Sequence, residues 1–160
     1  FTFTRPSRKA WHTSAVLPGM NNGEKFIGAL ALDMSGSIGE QQSKEMLSEV
    51  KGILEQYEDY EIHIWCFDTA VYGYEKFEAG DGKDITEYKI VGGGGTDFAC
   101  NWTYMKENDI IPQQFVMFTD GYPWNSWGDP DYCDTLFVIH GMSDHNFKAP
   151  FGVTAHYDDK

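Results

Sequence analysis

The chain has 160 residues, 41% of them hydrophobic and 16% aromatic, which suits one folded domain with its own core and excludes a disordered or low-complexity polypeptide. Its 25 Asp and Glu outweigh 12 Lys and Arg, a formal charge of -13 that repels nucleic acid and anionic lipid and favours cations and basic surfaces. No apolar run approaches the roughly 20 residues that a membrane helix needs, and no charged-then-apolar leader opens the chain.

Residues 1–23 read as an arm and residues 24–160 as the domain. Arg5, Arg8 and Lys9 sit together in that arm, which is either a solvated linker or a segment that touches something the acidic body does not. The chain opens on Phe1 rather than Met, which suggests a piece of something longer. After the Asn21-Asn22-Gly23 turn, Phe26 to Leu32 is continuously apolar, as expected of a central strand covered on both faces. Met46, Val50, Ile53, Leu54 and Tyr57 recur at helical spacing while Lys44, Glu45, Glu49 and Glu55 take other faces, so an amphipathic helix is predicted from about Ile38 to Tyr57. Tyr60 to Phe67 alternates into a second strand, and Val71 to Phe77 can pair with it through the Asp68-Thr69-Ala70 turn. Gly80 to Ile90 reads as a surface connection with a short strand or a turn of helix.

Gly92 to Gly95 lets the chain bend sharply, and Thr96-Asp97 opens a second predicted helix, Phe98 to Asn108. Strands follow at Phe115 to Phe118, Leu136 to Ile139 and Val153 to Tyr157. Strands alternating with helices predict an α/β fold with a mainly parallel central sheet flanked by helices. Ligands of such sheets bind beyond the carboxyl ends of the strands, where Asp33 and Asp120 both fall.

Three segments reach that edge: Asp33-Met34-Ser35-Gly36-Ser37, Thr96-Asp97 behind the glycines, and Phe118-Thr119-Asp120-Gly121. Carboxylate and hydroxyl oxygens are hard ligands, suited to Mg²⁺, Mn²⁺ or Ca²⁺ rather than zinc. If Ser35, Ser37 and Thr96 hold the ion while Asp33 and Asp120 stay partly outside its inner shell, the metal keeps much of its charge and seeks an outside carboxylate. The competing explanation of Asp33, Ser35 and Ser37 is helix capping, which does not call for Thr96 or Asp120. Asp97 is either a carboxylate outside the ion's inner shell or, the favoured reading, the acid that steadies the first turn of its helix.

This ordered set resembles the von Willebrand factor A (VWA) family and its metal-ion-dependent adhesion site, whose pattern is Asp-x-Ser-x-Ser after the first strand, a Thr after a glycine-rich loop and an Asp at the end of a later strand. The resemblance implies a Rossmann-like sheet and a metal site of Asp33, Ser35, Ser37, Thr96 and Asp120. It also implies a protein partner that supplies a Glu or Asp to the ion. Arg5-Pro6-Ser7-Arg8, Leu17-Pro18-Gly19, the four-glycine loop and Pro150-Phe151-Gly152 are similar to a narrower branch, the VWA-like domain at the C-terminal end of bacterial and phage proteins described as metal-dependent peptidases. That branch implies a segment that presents substrate to, or regulates, a catalytic part lying elsewhere. A structural Ca²⁺ is a further alternative.

No catalytic motif stands beside the metal pattern. The glycine loop lacks the Lys of a phosphate-cradling loop, and Ser35 lacks the preceding Gly of a hydrolase elbow. His12, His63, His140, His145 and His156 show no zinc spacing and read as packed or exposed side chains. Cys66, Cys100 and Cys133 form no Cys-x-x-Cys pair and read as reduced thiols, which suggests a cytoplasmic protein. The aromatic and acidic stretch Tyr122 to Tyr132 is either contact surface for a partner or a lid folded onto the sheet edge. Composition thus leaves neither nucleic acid nor membrane as an expected partner, and the oligomeric state open.

Overall fold

Strand β1 (Phe26–Asp33) occupies the middle of the sheet, and its apolar run from Phe26 to Leu32 follows from that position. The computed structural model describes residues 25–33, 40–90, 97–119, 121, 123, 126–140, 144 and 146–157. The arm and its boundary at residue 23 lie outside these. Helix α1 (Glu40–Leu54) carries the chain from β1 to β2 (Tyr60–Phe67), which pairs with β1 in parallel, Phe26 opposite Tyr60 and Asp33 opposite Phe67. β3 (Val71–Glu78) folds back antiparallel on β2. Helix α2 (Ala99–Glu107) then crosses to β4 (Gln114–Thr119) on the other side of β1, and β5 (Thr135–His140) and β6 (Val153–Tyr157) extend the sheet in parallel. The order is β3-β2-β1-β4-β5-β6. The predicted mainly parallel α/β sheet is what forms.

Both faces of the sheet are buried, and strand alternation divides the apolar residues between them. Leu30, Leu32, Ile62, Ile64, Phe118 and Val138 share one cluster with Met46, Leu47, Val50 and Leu54 of α1. Ala29, Ala31, Trp65, Phe67, Phe115, Met117 and Phe137 share the other with Phe98, Trp102 and Met105 around α2. Small Ala29 and Ala31 beside bulky Trp65 and Phe67 let the α2 face interdigitate at constant volume.

β3 runs one residue beyond its expected end, β4 and β5 one residue beyond each of theirs, and the helical segments differ from expectation for local reasons. The first helix ends at Leu54, because Gln56 and Tyr57 donate to Ile53 and Leu54 carbonyls in tighter, i-to-i-3 turns. Tyr57 still keeps the apolar spacing because its ring stacks on Phe26 at 4.8 Å. The second helix is one residue shorter at each end, Ala99–Glu107. Within Gly80 to Ile90 the helical option is realised as a 3-10 turn, Ile85–Glu87, capped by Asp84, whose carboxylate also pairs with Lys51 of α1 at 3.0 Å.

Helices do not alternate with strands throughout. Among the described residues no helix covers the connections 120–134 and 141–152, and aromatic rings fill that role. Trp127 packs edge-on against Phe98 and Phe137, both at 5.2 Å between centroids, and lies 5.7 Å from Phe147. Phe151 meets Trp102 and Phe137. Two glycines permit this closeness. Gly128 has φ +128, and a Cβ there would stand 2.2 Å from the Trp102 ring; at Gly152, φ +71, it would stand 2.5 Å from the Thr135 carbonyl oxygen. Described residues of the Tyr122 to Tyr132 stretch therefore fold down: Trp127 is half-buried and packs against the core, Tyr132 donates to the Ile110 carbonyl at 2.6 Å, and Asp129 pairs with Lys106 at 2.9 Å.

Candidate metal centre

The chain leaves β1 for β2 on one side and later places β4 on the other, so the carboxyl ends of β1 and β4 flank a topological switch point, where open α/β sheets bind ligands. One side chain from each strand meets there. Asp33 and Thr119 are both fully buried, and the Thr119 hydroxyl donates to Asp33 Oδ2 at 2.6 Å. Thr119 Oγ1 in turn accepts from the Gly121 backbone N-H at 3.1 Å. Gly121 adopts φ +88, a left-handed conformation in which glycine is unstrained, and this turns its N-H back on the hydroxyl. Oriented by that donor, the hydroxyl proton points at the carboxylate, and the charge-assisted bond fixes the Asp33 rotamer.

On the neighbouring strand end, Asp68 follows Phe67, the residue in register with Asp33. Its Oδ1 accepts the backbone N-H groups of Thr69 and Ala70, an Asx turn that starts the β2–β3 hairpin. The Asp68 carbonyl accepts from the Asp97 N-H at 2.8 Å, and Asp97 Oδ1 accepts from Ala99 N at 3.1 Å. The expected helix-steadying role of Asp97 is therefore present, and the hairpin turn docks the start of α2.

Of the five predicted ligands the structure places Asp33; Ser35, Ser37, Thr96 and Asp120 lie outside the described residues. Among the described residues no group of three His, Cys, Asp or Glu could hold a metal ion. What the structure describes is the flank of each motif: Asp33 opens the first, Asp97 follows Thr96, and Thr119 and Gly121 bracket Asp120. All are tied to the ends of β1, β2 and β4 by the bonds above.

The sequence reading missed two contributors. Thr119 looks like an ordinary strand threonine, and only its place before the motif aspartate singles it out. Asp68 looks like a turn residue, which it is, but its carbonyl also anchors α2.

The edge is strongly anionic. Cys100, on α2, has its thiol pushed up to about 12, first by burial and then by the negative charges of Asp97, Asp68 and Asp33. The Tyr72 hydroxyl is pushed up to about 12 by burial and then by Asp68. A thiol whose folded value exceeds its unfolded value of 9.0 stabilises the fold fully below that value. That contribution is lost as pH rises from about 9 to about 12, because the unfolded chain releases a proton that the folded chain retains. Wild type should therefore lose stability to urea across that window, and Cys100→Ser should show a shallower loss. Equal slopes would contradict this account.

Histidines behave as packing groups. His63 bonds Tyr74 Oη at 2.6 Å and Glu61 at 2.7 Å, and His156 Nε2 reaches the Phe147 carbonyl at 2.9 Å. His140 is buried, and His12 and His145 lie outside the described residues. Cys66, Cys100 and Cys133 form no disulfide. No described helix is long and apolar enough to cross a membrane.

Comparison with known proteins agrees with this architecture. The family model described as VWA-like domain (DUF2201) matches residues 29–158. An uncharacterized protein of Thermotoga maritima is 33% identical over 118 residues, which cover 74% of this chain but 28% of that protein. The chain thus spans under a third of the length of that relative. The crystal structure of the ArnB paralog VWA2 from Sulfolobus acidocaldarius superposes with a TM-score of 0.52 and 18% identity, over 73% of this chain and 35% of that one. At that identity the likeness concerns the fold alone.

Proposed function

This chain belongs to the VWA-like domain family, and on that premise we propose that it is a divalent-metal-dependent protein-binding module. The proposed ligands are Ser35, Ser37 and Thr96, with Asp33 and Asp120 bound directly or through water, and a Glu or Asp of a protein partner completes the coordination. The described donors suit a hard ion: a buried carboxylate locked by a hydroxyl, at an edge where three carboxylates raise the Cys100 thiol. Mg²⁺ is the preferred ion, with Mn²⁺ or Ca²⁺ as substitutes. When bound, the cation would supply a Lewis-acidic position for an incoming carboxylate. Asp33 orients and balances charge, and Thr119 holds Asp33 in place. The single observation that carries the reading is the Asp33–Thr119 bond across the switch point, made by the residue that opens the first motif and the residue just before Asp120 in the third.

Titrating Mg²⁺ or Mn²⁺ while following the melting temperature tests this. Ligand at 100 times its dissociation constant stabilises by about 2.7 kcal/mol. For a chain of this size that is a rise of roughly 5–11 °C, reversed by chelator. Adding a Glu-bearing peptide should raise it further in Mg²⁺ and do nothing in chelator. A response to Ca²⁺ alone, indifferent to the peptide, would mean a structural ion; no response to any of the three refutes the proposal.

A second reading is favoured by the length of the Thermotoga relative, most of which lies outside the matched region. In it the domain is the non-catalytic part of a longer metal-dependent peptidase and presents substrate to, or regulates, a catalytic part. Peptide hydrolysis by a full-length relative that disappears on mutating a site outside residues 24–160 would support it. Hydrolysis by these 160 residues alone would contradict both readings.

A further inference from the structure

The face of the sheet that carries α1 is covered unevenly. Its described helical elements are α1 and the 3-10 turn, which lies along one flank of α1 and is tied to it by Lys51 and Asp84. Towards β4 an apolar groove runs between α1 and the sheet, lined by Phe26, Gly28, Val50, Ile53, Tyr57 and Val116 among others, and Val116 is only half-buried beneath it. One strand farther out, Leu136 of β5 stands in register with Val116, yet Leu136 and Val138 are fully buried, and Ala155 of β6 is 2% exposed. Helix α1 does not shield them across a strand that it leaves open. Nor do the neighbouring connections, because the described rings of 120–134 and 141–152, such as Trp127, Phe147 and Phe151, pack on the opposite face.

This burial is complete within one chain, so no partner supplies it. Its source is residues of the same chain outside the described ones. After β1, β4, β5 and β6 the described chain breaks off at the carboxyl edge of the sheet, and residues 91–96 end at Asp97, docked on Asp68 beyond the end of β2. Leu136 is the second residue of β5 and stands near the opposite, amino edge. The undescribed segment that meets the sheet at that edge is residues 1–24, which lead through Lys25 into Phe26, a residue that itself lines the groove. Glu49 stands one turn before Ile53 on the groove side of α1, and both its carboxylate oxygens are enclosed. An enclosed carboxylate favours cationic neighbours.

We propose that the arm docks on its own domain, with the apolar stretch from Trp11 to Met20 lying beside α1 over β4, β5 and β6. The inference is independent of the metal-dependent reading above. Three features of the arm suit it to this seat. Trp11, Val16, Leu17 and Met20 supply apolar side chains for a surface made of Val116, Leu136, Val138 and Val153. Three strands at a spacing of about 4.8 Å form a strip about 10–15 Å wide, which ten residues cross even as a helix of about 15 Å. Charge favours the contact as well: Arg5, Arg8 and Lys9 against Glu24 alone give the arm +2, and a chain of net -13 then carries -15 beyond it. The arm is thus a layer of the fold, and its removal would bare the outer half of the α1 face.

Methyl-labelled NMR of the full wild-type chain tests this directly. Cross-peaks should join the methyls of Val16, Leu17 or Met20 to those of Val116, Leu136, Val138 or Val153, as side chains in contact require. Thermal melts of full-chain variants add a second measurement. Leu17→Asp should lower the melting temperature by roughly 4–20 °C, the range for losing a buried leucine in a chain of this size, while Leu17→Met, of similar volume, should stay within roughly 5 °C of wild type. A wild-type spectrum with no cross-peak between the arm and these strands overturns the proposal, whether or not the aspartate variant folds. So does a Leu17→Asp variant that melts with the wild type. Cross-peaks found only between differently labelled copies in a mixed sample would place the arm on a neighbouring molecule, and would overturn docking on its own domain.

Discussion

Asp33→Asn is expected to fold at least as stably as the wild type without metal and to lose about half or more of the metal-induced rise in melting temperature. Asp33 is fully buried, and its charge lies in the same field as those of Asp68 and Asp97, as the raised Cys100 thiol records. Without a cation these neighbouring like charges repel one another, which costs stability. Asparagine keeps an acceptor oxygen for the Thr119 hydroxyl and removes the charge. Losing a carboxylate that orients or balances a metal site costs about 10–100-fold in affinity, which cuts the stabilisation at 100 times the wild-type dissociation constant from about 2.7 to about 0.4–1.4 kcal/mol.

Asp33→Ala separates the two effects. It removes the acceptor as well, leaving a buried hydroxyl proton unsatisfied at a cost of about 1–3 kcal/mol, so the alanine variant should be the less stable of the two without metal. Thermal melts of both variants with and without Mn²⁺ decide the matter. An Asn variant whose melting temperature rises with Mn²⁺ as far as the wild type's would remove Asp33 from the centre.

The sheet was legible because burial on both faces writes a simple pattern. Phe26 to Leu32 could be little else than a central strand, and Tyr60 to Phe67 was bounded to the residue. Helix ends were less legible. Tyr57 continues the apolar period of α1 although the backbone has already tightened, so periodicity reports packing rather than hydrogen bonding. Trp127 could not be assigned from sequence, since an aromatic loop residue is equally suited to a partner's surface and to its own core. Its rings' neighbours Phe98 and Phe137 come from α2's threshold and β5 and are adjacent only after folding.

Thr119 was hidden for the same reason. Its bond to Asp33 spans 86 positions of sequence and exists because β4 inserts beside β1, a fact of topology that no local signal carries. The order of the three motifs was legible. The hydroxyl that clamps the first of them and the turn that docks the second became visible only in three dimensions.

Phe137→Ala is expected to be the most damaging single substitution in the described core. Phe137 is fully buried on β5, meets Trp127 and Phe151 edge-on at 5.2 and 5.3 Å, and lies 6.5 Å from Phe98. It is the common neighbour of two loop aromatics that pack beside α2 on that face of the sheet. Truncation leaves a cavity and costs about 3–5 kcal/mol, a large share of the roughly 5–15 kcal/mol that holds such a domain together. The melting temperature should fall by roughly 6–20 °C. Urea denaturation with an unchanged slope is the cleaner measurement, because it separates lost stability from a changed unfolded state. Phe98 adds a second consequence. It follows Asp97 directly, so loosening its ring contacts should relax the start of α2 and weaken metal binding, in addition to lowering stability. A loss below about 1.5 kcal/mol would mean that Trp127 and Phe151 collapse into the gap, and that the loops are held by something other than this ring cluster.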